Sequence, residues 1–224
     1  MGALVIWISV AAIAASVFTV TRAVCDRIRS TGWQRDLDNV VGDAGLSADL
    51  AHVARGERHL RHGHRGAVVW LTGVPGSGKT TLAKALERQL FEQHIQVFVL
   101  DGQNIRPGLS ADLGVSGSDR EENMRRVAEV AKLFAESGAV CIVAFTSPTR
   151  AERDRARSIL ETDDGPRIPF LEAYLSSTND VSSQYEPPEH PEVTLTESAQ
   201  LDDRVNRVLE HLMRQIRKSV VDSR

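Results

Sequence analysis

The segment Gly73-Val74-Pro75-Gly76-Ser77-Gly78-Lys79-Thr80 constrains this chain more than any other, because G-x-x-x-x-G-K-[ST] wraps backbone N–H groups around a polyphosphate. The motif works only between a strand and a helix. Val68-Val69-Trp70-Leu71 reads as a buried strand entering the loop, and Thr81-Leu82-Ala83-Lys84-Ala85-Leu86-Glu87-Arg88 reads as the helix that leaves it. Glycines in the loop let the phosphates approach the backbone, and the helix turns its positive end toward the anion. Lys79 is expected to reach the β- and γ-phosphates, and the Thr80 hydroxyl to ligate the Mg²⁺ that bridges them. The ATP-binding set is therefore Gly73, Val74, Pro75, Gly76, Ser77, Gly78, Lys79, Thr80 and Thr81, with Mg²⁺ as cofactor and Thr80 as its protein ligand.

Downstream of Gly66, strand-like and helix-like runs alternate. Val68 to Thr72, Val97 to Leu100, Val140 to Phe145, Phe170 to Leu175 and Val193 to Leu195 are separated by helical patterns at 79–93, 119–137, 149–161 and 201–218. Such alternation implies the α/β class: a P-loop NTPase-type parallel sheet with helices on both faces. Ligands of such sheets bind beyond the C-terminal strand ends. There the loops Gly73–Lys79, Asp101–Leu109 and Phe145–Arg150 should meet.

The first residues belong to a different regime. Ala3 to Val20 are apolar apart from Ser9, Ser16 and Thr19. A helix of that length rises about 27 Å, close to the hydrocarbon thickness of a bilayer. A cleaved signal peptide would carry a basic n-region, which Met1 and Gly2 do not supply, so residues 1–24 are expected to form an uncleaved, single-pass transmembrane helix. Arg22, Arg27 and Arg29 flank it, which places the following body in the cytoplasm. Residues 25–52 read as a polar tether with a short helix around Ser47 to Val53, and 53–224 as the P-loop domain.

A net charge of −3 with interspersed signs gives no extended basic face, so no nucleic-acid partner is expected. Cys25 and Cys141 are too few and too differently placed for a disulfide framework and are read as free thiols. His59, His62 and His64 crowd one segment, but no Cys or carboxylate completes a ligand pattern, and a solvated basic approach to the first strand is the preferred reading.

Three further segments carry a family resemblance. Asp101-Gly102-Gln103-Asn104-Ile105-Arg106-Pro107-Gly108-Leu109, the helix Asp119 to Phe134, and Tyr185-Glu186-Pro187-Pro188 with Pro191-Glu192 resemble adenylyl-sulfate (APS) kinases in the same order along the chain. The resemblance implies transfer of the γ-phosphoryl of ATP to the 3′-hydroxyl of adenosine 5′-phosphosulfate, giving PAPS for sulfate assimilation, with a homodimer left open. It also implies that Arg106, Arg120 and Asn123 hold the acceptor, that Asp101 lies near the metal and the attacking hydroxyl, and that Ser147 is either a phosphoserine intermediate or a positioning residue. Lys79, Asp101 and Ser147 form the implied catalytic set. Arg125, Arg126 and Glu129 are read as a solvated helix face with i,i+4 pairing.

The chain departs from the family in three places. Gln103 stands where the family has the second acid of D-G-D-N, and Val115 where it has an aromatic that stacks on adenine. Between Leu175 and Tyr185 the chain is too short to carry the family's basic lid. These departures keep two other readings in view: a degenerate, membrane-tethered nucleotide-binding partner or regulator with little turnover, and a kinase for another small hydroxylated substrate.

Overall fold

Apolar, β-branched runs build the frame of the molecule. In a computed structural model, which describes residues 53–161, 167–177 and 184–217, they form β1 (Ala67–Thr72), β2 (Val97–Asp101), β3 (Val140–Ala144), β4 (Phe170–Ser176) and β5 (Val193–Thr196). These make one five-stranded sheet in the order β2-β3-β1-β4-β5, with each neighbouring pair parallel. The expected strands all form, within a residue or two at their ends. The expected membrane span, the 25–52 tether and Cys25 lie outside the described residues. Among the described residues, no helix is long and apolar enough to cross a membrane.

Burial on both faces explains why the strands read as continuous apolar runs. Ala67, Val69 and Leu71 of β1 point into one core, and Val68 and Trp70 into the other. The first core is roofed by Leu82, Leu86 and Leu90 of α2 (Lys79–Glu92) and by Val205, Val208, Leu212 and Ile216 of α6 (Leu201–Arg217). The second is roofed by Val127, Ala128 and Ala131 of α4 (Gly117–Glu136) and by Ala156 and Leu160 of α5 (Arg150–Leu160). Each fully buried Leu contributes about 1.5–3 kcal/mol of transfer free energy, so these helices are held by packing more than by propensity.

Caps fix where the helices begin. Ser116 Oγ accepts the Asp119 N–H, which starts α4 at Gly117, two residues before the hydrophobic pattern announces it. Thr149 and Glu152 form a capping box at the start of α5. Asp101 does the same for the four-residue α3 (Gly102–Ile105) with Asn104.

Sheet register then levels the functional loops. Asp101 pairs with Ala144, Ala144 with Leu71, Leu71 with Ala173, and Ala173 with Val193. This row crosses the sheet near its C-terminal edge, so the segments leaving β1, β2, β3 and β4 emerge side by side. As expected of an open α/β sheet, that edge carries the site.

One element was not anticipated. The histidine-bearing approach to β1 is α1 (Arg55–His62), ended by Gly63 with φ 72°. The helix is tied to the end of α4 by an Arg55–Glu136 ion pair at 3.4 Å. His64 donates Nδ1–H to Arg65 O at 3.0 Å, and its Nε2 receives the Gln96 N–H at 3.4 Å. Burial, with the charges of Arg65 and Arg55 next in size, pushes the His59 imidazole down to about 4.

That shift has a sign. Between about pH 6.5 and about pH 4 the unfolded chain binds a proton at His59 that the folded chain refuses, so stability falls on acidification through this window. We expect the denaturation midpoint to drop more steeply there in the parent than in His59→Gln. Parallel slopes for the two proteins between pH 6.5 and 4 would contradict this account.

Candidate active site

The turn after β1 is shaped by a close approach. Gly73 has φ 149°, and a Cβ on it would lie 2.6 Å from the Leu175 carbonyl at the end of β4. Only glycine lets the loop pass over that strand end. The loop then closes on its own lysine: Lys79 Nζ donates to Gly73 O at 2.8 Å, to Val74 O at 2.7 Å and to Ser77 Oγ at 3.3 Å. The ammonium is therefore buried at the head of α2, at the helix end where anions are favoured. Thr80 follows it in the first turn of the same helix.

Beside the loop lies a cleft of about 400 Å³. It gathers Pro75 of the P-loop, Arg106 from the segment after α3, Arg120 and Asn123 of α4, and Ser147 and Tyr185. The three residues assigned to the acceptor thus come from two stretches of chain, the segment after α3 and α4, and line one cavity. Arg106 and Arg120 are exposed, whereas Asn123 is buried and its Oδ1 has no hydrogen-bond partner among the described residues.

Ser147 is held in a chain of hydrogen bonds. It is 2 % exposed and has φ 38°, a left-handed conformation that strains a residue with a Cβ. Trp70 Nε1–H donates to its Oγ at 3.1 Å, and that hydroxyl donates to Thr72 Oγ1 at 2.9 Å. Thr72 in turn donates to Thr146 O at 2.9 Å, which leaves the Tyr185 hydroxyl to donate to Thr72 at 2.9 Å. The proton of every hydroxyl in the chain has a defined acceptor.

Arg153 clamps the same loop from below. Its Nη1 donates to Ser147 O at 2.7 Å, its Nη2 to Glu186 O at 2.6 Å, and its Nε faces Glu172 Oε1 at 2.9 Å. Arg157 extends the network to Glu192 at 2.8 Å. The Glu-Pro-Pro and Pro-Glu residues therefore serve as a latch across α5 and β4. Burial, the largest influence on Glu172, lifts its carboxyl above the usual range against the pull of both arginines.

Not every assigned residue faces this cleft. Asp101 is buried, and its Oδ1 accepts the Gln103 and Asn104 N–H groups at 2.9 and 3.2 Å. With Gln103 it borders a neighbouring hollow toward Lys84 and Glu87 instead. Val115, at the position of the family's stacking aromatic, is 79 % exposed and outside the lining of the cleft.

The polar face of α4 is structural, as expected. Arg125 and Arg126 both bind Glu122, and Arg126 also grips Asp112 at 2.6 Å and Leu109 O at 2.9 Å. Hydrogen bonds from Arg125 and Arg126 hold the Glu122 carboxyl down at about 2. Cys141 is a free, buried thiol whose burial raises its pKa, which makes it a poor nucleophile.

The sequence reading missed the parts that only folding assembles. Trp70, Thr72 and Arg153 looked like ordinary strand and helix residues. The usable signal was chemical: a Trp and a Thr inside a buried strand each need a polar partner.

Comparison with known proteins agrees with this geometry. Residues 65–188 match the family model described as adenylylsulphate kinase. The adenylyl-sulfate kinase of Lactiplantibacillus plantarum is 39% identical over 187 residues, covering 72% of this chain and 88% of its own length. The aligned region is longer than the stretch of this chain it occupies, so the relative carries residues with no counterpart here. The structure of the Mycobacterium tuberculosis APS kinase in complex with AMPPNP and APS superposes with a TM-score of 0.61 at 35% identity, over 66% of this chain and 98% of that one. A hexameric APS kinase from Thiobacillus denitrificans gives a TM-score of 0.59 at 33% identity, over 70% of this chain and 31% of that one. A complete P-loop, an arginine- and asparagine-lined cleft beside it and a family match across most of the described fold identify this chain as a member of the adenylyl-sulfate kinase family of phosphotransferases.

Proposed function

We propose that this protein transfers the γ-phosphoryl group of ATP to the 3′-hydroxyl of APS, producing ADP and PAPS in sulfate assimilation. One observation carries the reading: Arg106, Arg120 and Asn123 line a single cleft that also contains Pro75 of the P-loop. Guanidinium forks match phosphate and sulfate oxygens, and the unpartnered Asn123 oxygen is ready to accept from a base or ribose donor.

In this reading residues 73–81 cradle the ATP phosphates. Lys79 exchanges its loop carbonyls for phosphate oxygens, a swap between acceptors that leaves the ammonium paired throughout. Mg²⁺ fits the donor set, because Thr80 offers a lone hydroxyl and Mg²⁺ ordinarily completes its shell with nucleotide oxygens and water. When bound, it would offset charge on the transferring phosphoryl group. The family resemblance puts Asp101 near the metal and the attacking hydroxyl, but its capped carboxylate borders the hollow toward Lys84 and Glu87, so it is assigned the role of holding the segment that carries Arg106. In the transfer itself, the acceptor oxygen forms its bond to Pγ as the Pγ–O bond to ADP breaks, and the hydroxyl proton is released to water.

Ser147 is assigned a positioning role. Its hydroxyl proton is directed at Thr72, and among the described residues its hydroxyl is hydrogen-bonded only to Trp70 and Thr72, neither of them a base, which does not suit a nucleophile. Residues 1–24 are assigned as a membrane anchor, 25–52 as the tether, and the kinase domain from 53 as cytoplasmic. A homodimer is compatible with this assignment.

The direct test is ADP release by the full-length protein with ATP and Mg²⁺, with and without APS. We expect APS-dependent release that is lost in Lys79→Ala, while unfolding without nucleotide stays unchanged. ATP binding without APS-dependent release would overturn the reading in favour of a nucleotide-binding partner.

Ser147→Ala separates positioning from covalent catalysis. Leaving Trp70 Nε1–H without a partner should cost about 1–3 kcal/mol of stability. Turnover should fall by less than about a hundredfold, and no label from γ-³²P-ATP should stay on the parent protein. Complete loss of turnover together with a labelled parent would make Ser147 the nucleophile.

The anchor is tested on sealed vesicles. We expect the kinase domain to be digested by protease added to cytoplasmic-side-out vesicles and the protein to resist alkaline carbonate extraction. Release by carbonate would remove the anchor, and protection until detergent is added would reverse its orientation.

A further inference from the structure

The last helix brings a cation to the ATP loop that no P-loop motif calls for. Gly78 sits at the N-terminus of α2 with φ 90°. A side chain there would enter the space through which a polyphosphate approaches the backbone N–H groups. The position that a Gly78 Cβ would take lies 3.5 Å from Arg204 Nη1. Arg204 belongs to the first turn of α6, and α6 packs beside α2 over the same core, so the placement is set by the hydrophobic roof.

Its electrostatic condition differs from that of the paired arginines on the other face of the sheet. Arg153 is neutralised by Glu172, Arg157 by Glu192 and Arg126 by Asp112. The Arg204 Nε is buried and has no hydrogen-bond partner among the described residues. A buried donor on a charged group, left unpaired, is costly, and an anion placed beside it removes that cost. Asp202 and Asp203 share its turn of helix, yet both are exposed.

We infer that Arg204 is a phosphate-contacting residue of the ATP site, supplied in cis by α6 and directed at the polyphosphate alongside Gly78. The inference rests on the kinase reading above and adds a residue to its donor site. The guanidinium presents several N–H donors in a rigid fork that phosphate oxygens match, which a lysine at this place could reproduce only as a point charge. Its contribution falls on the nucleotide and leaves the acceptor cleft untouched, because the lining of that cleft does not include it.

Calorimetric titration of ATP·Mg²⁺ and of APS against the full-length parent, Arg204→Ala, Arg204→Gln and Arg204→Lys tests this. We expect ATP affinity to fall about tenfold to hundredfold in Arg204→Ala and Arg204→Gln, with partial recovery in Arg204→Lys and no change for APS. Steady-state kinetics should show the same split, with KM for ATP raised and KM for APS unchanged. Thermal unfolding without nucleotide should not fall, since the unpaired buried donor is removed; where Arg204→Ala fails to fold, Arg204→Gln keeps a polar side chain and still removes the charge. Equal ATP affinity in parent and Arg204→Gln, or equal losses for ATP and APS, overturns the inference while leaving the kinase reading in place. A parent that binds ATP but gives no APS-dependent turnover overturns the kinase reading, and the ATP comparison still decides Arg204.

Discussion

The site depends on one buried cation. Arg153 is 2 % exposed and reaches Ser147 O, Glu186 O and Glu172 at once, while its guanidinium carbon lies 5.4 Å from the centre of the Tyr185 ring. Removing an arginine from water costs several kcal/mol unless its charge is met, and here both terminal nitrogens donate to carbonyls while the Glu172 carboxylate lies beside Nε. The three anchors belong to the β3 exit loop, the Glu-Pro-Pro segment and the β4 strand. With the Glu186 N–H donated to Pro148 O at 2.8 Å, this clamp holds the loop that carries Ser147 in its left-handed conformation.

Strain at Ser147 is in turn what places the loop. The φ of 38° aims the Oγ back into the sheet, between Trp70 and Thr72, when a relaxed backbone would direct it elsewhere. Thr72 is the last residue of β1, immediately before Gly73, so the hydroxyl chain ties the β3 exit to the start of the P-loop. Tyr185 joins the chain from the other end and stacks on Tyr174 of β4 at 5.9 Å. The P-loop and the cleft beside it are thus parts of one hydrogen-bonded layer, and a change in either is felt by the other.

Periodicity and composition made the frame legible before folding was considered. Strand runs such as Val140 to Ala144 are buried on both sides, so they contain no polar residue to blur the pattern. The P-loop was legible because its chemistry fixes residue types at fixed spacing, and the acceptor residues because a collinear resemblance named them. The helix Arg55–His62 escaped notice since none of its residues is buried and no apolar stripe marks it. The hydroxyl chain, the Arg153 clamp and Arg204 escaped for a different reason: they join residues more than thirty positions apart or depend on how α6 lies against α2, and no local pattern records such distances.

Charge supply is where this chain has to differ from its relatives. Phosphoryl transfer needs cations around the γ-phosphate, and the stretch between Leu175 and Tyr185 is too short for the basic lid that the family resemblance leads one to expect. Arg150, Arg153 and Arg157 lie on the neighbouring helix but are committed to Glu189, Glu172 and Glu192, so moving any of them toward substrate would break the latch that shapes the site. Lys79 already donates to two carbonyl oxygens of the loop, acceptors that phosphate oxygens can replace. Arg106 and Arg120 line the cleft in exposed positions and, among the described residues, have no buried ion-pair partner to give up. In the proposed reading Arg204 joins them from α6, so that positive charge reaches both flanks of the P-loop from helices and their connecting segments.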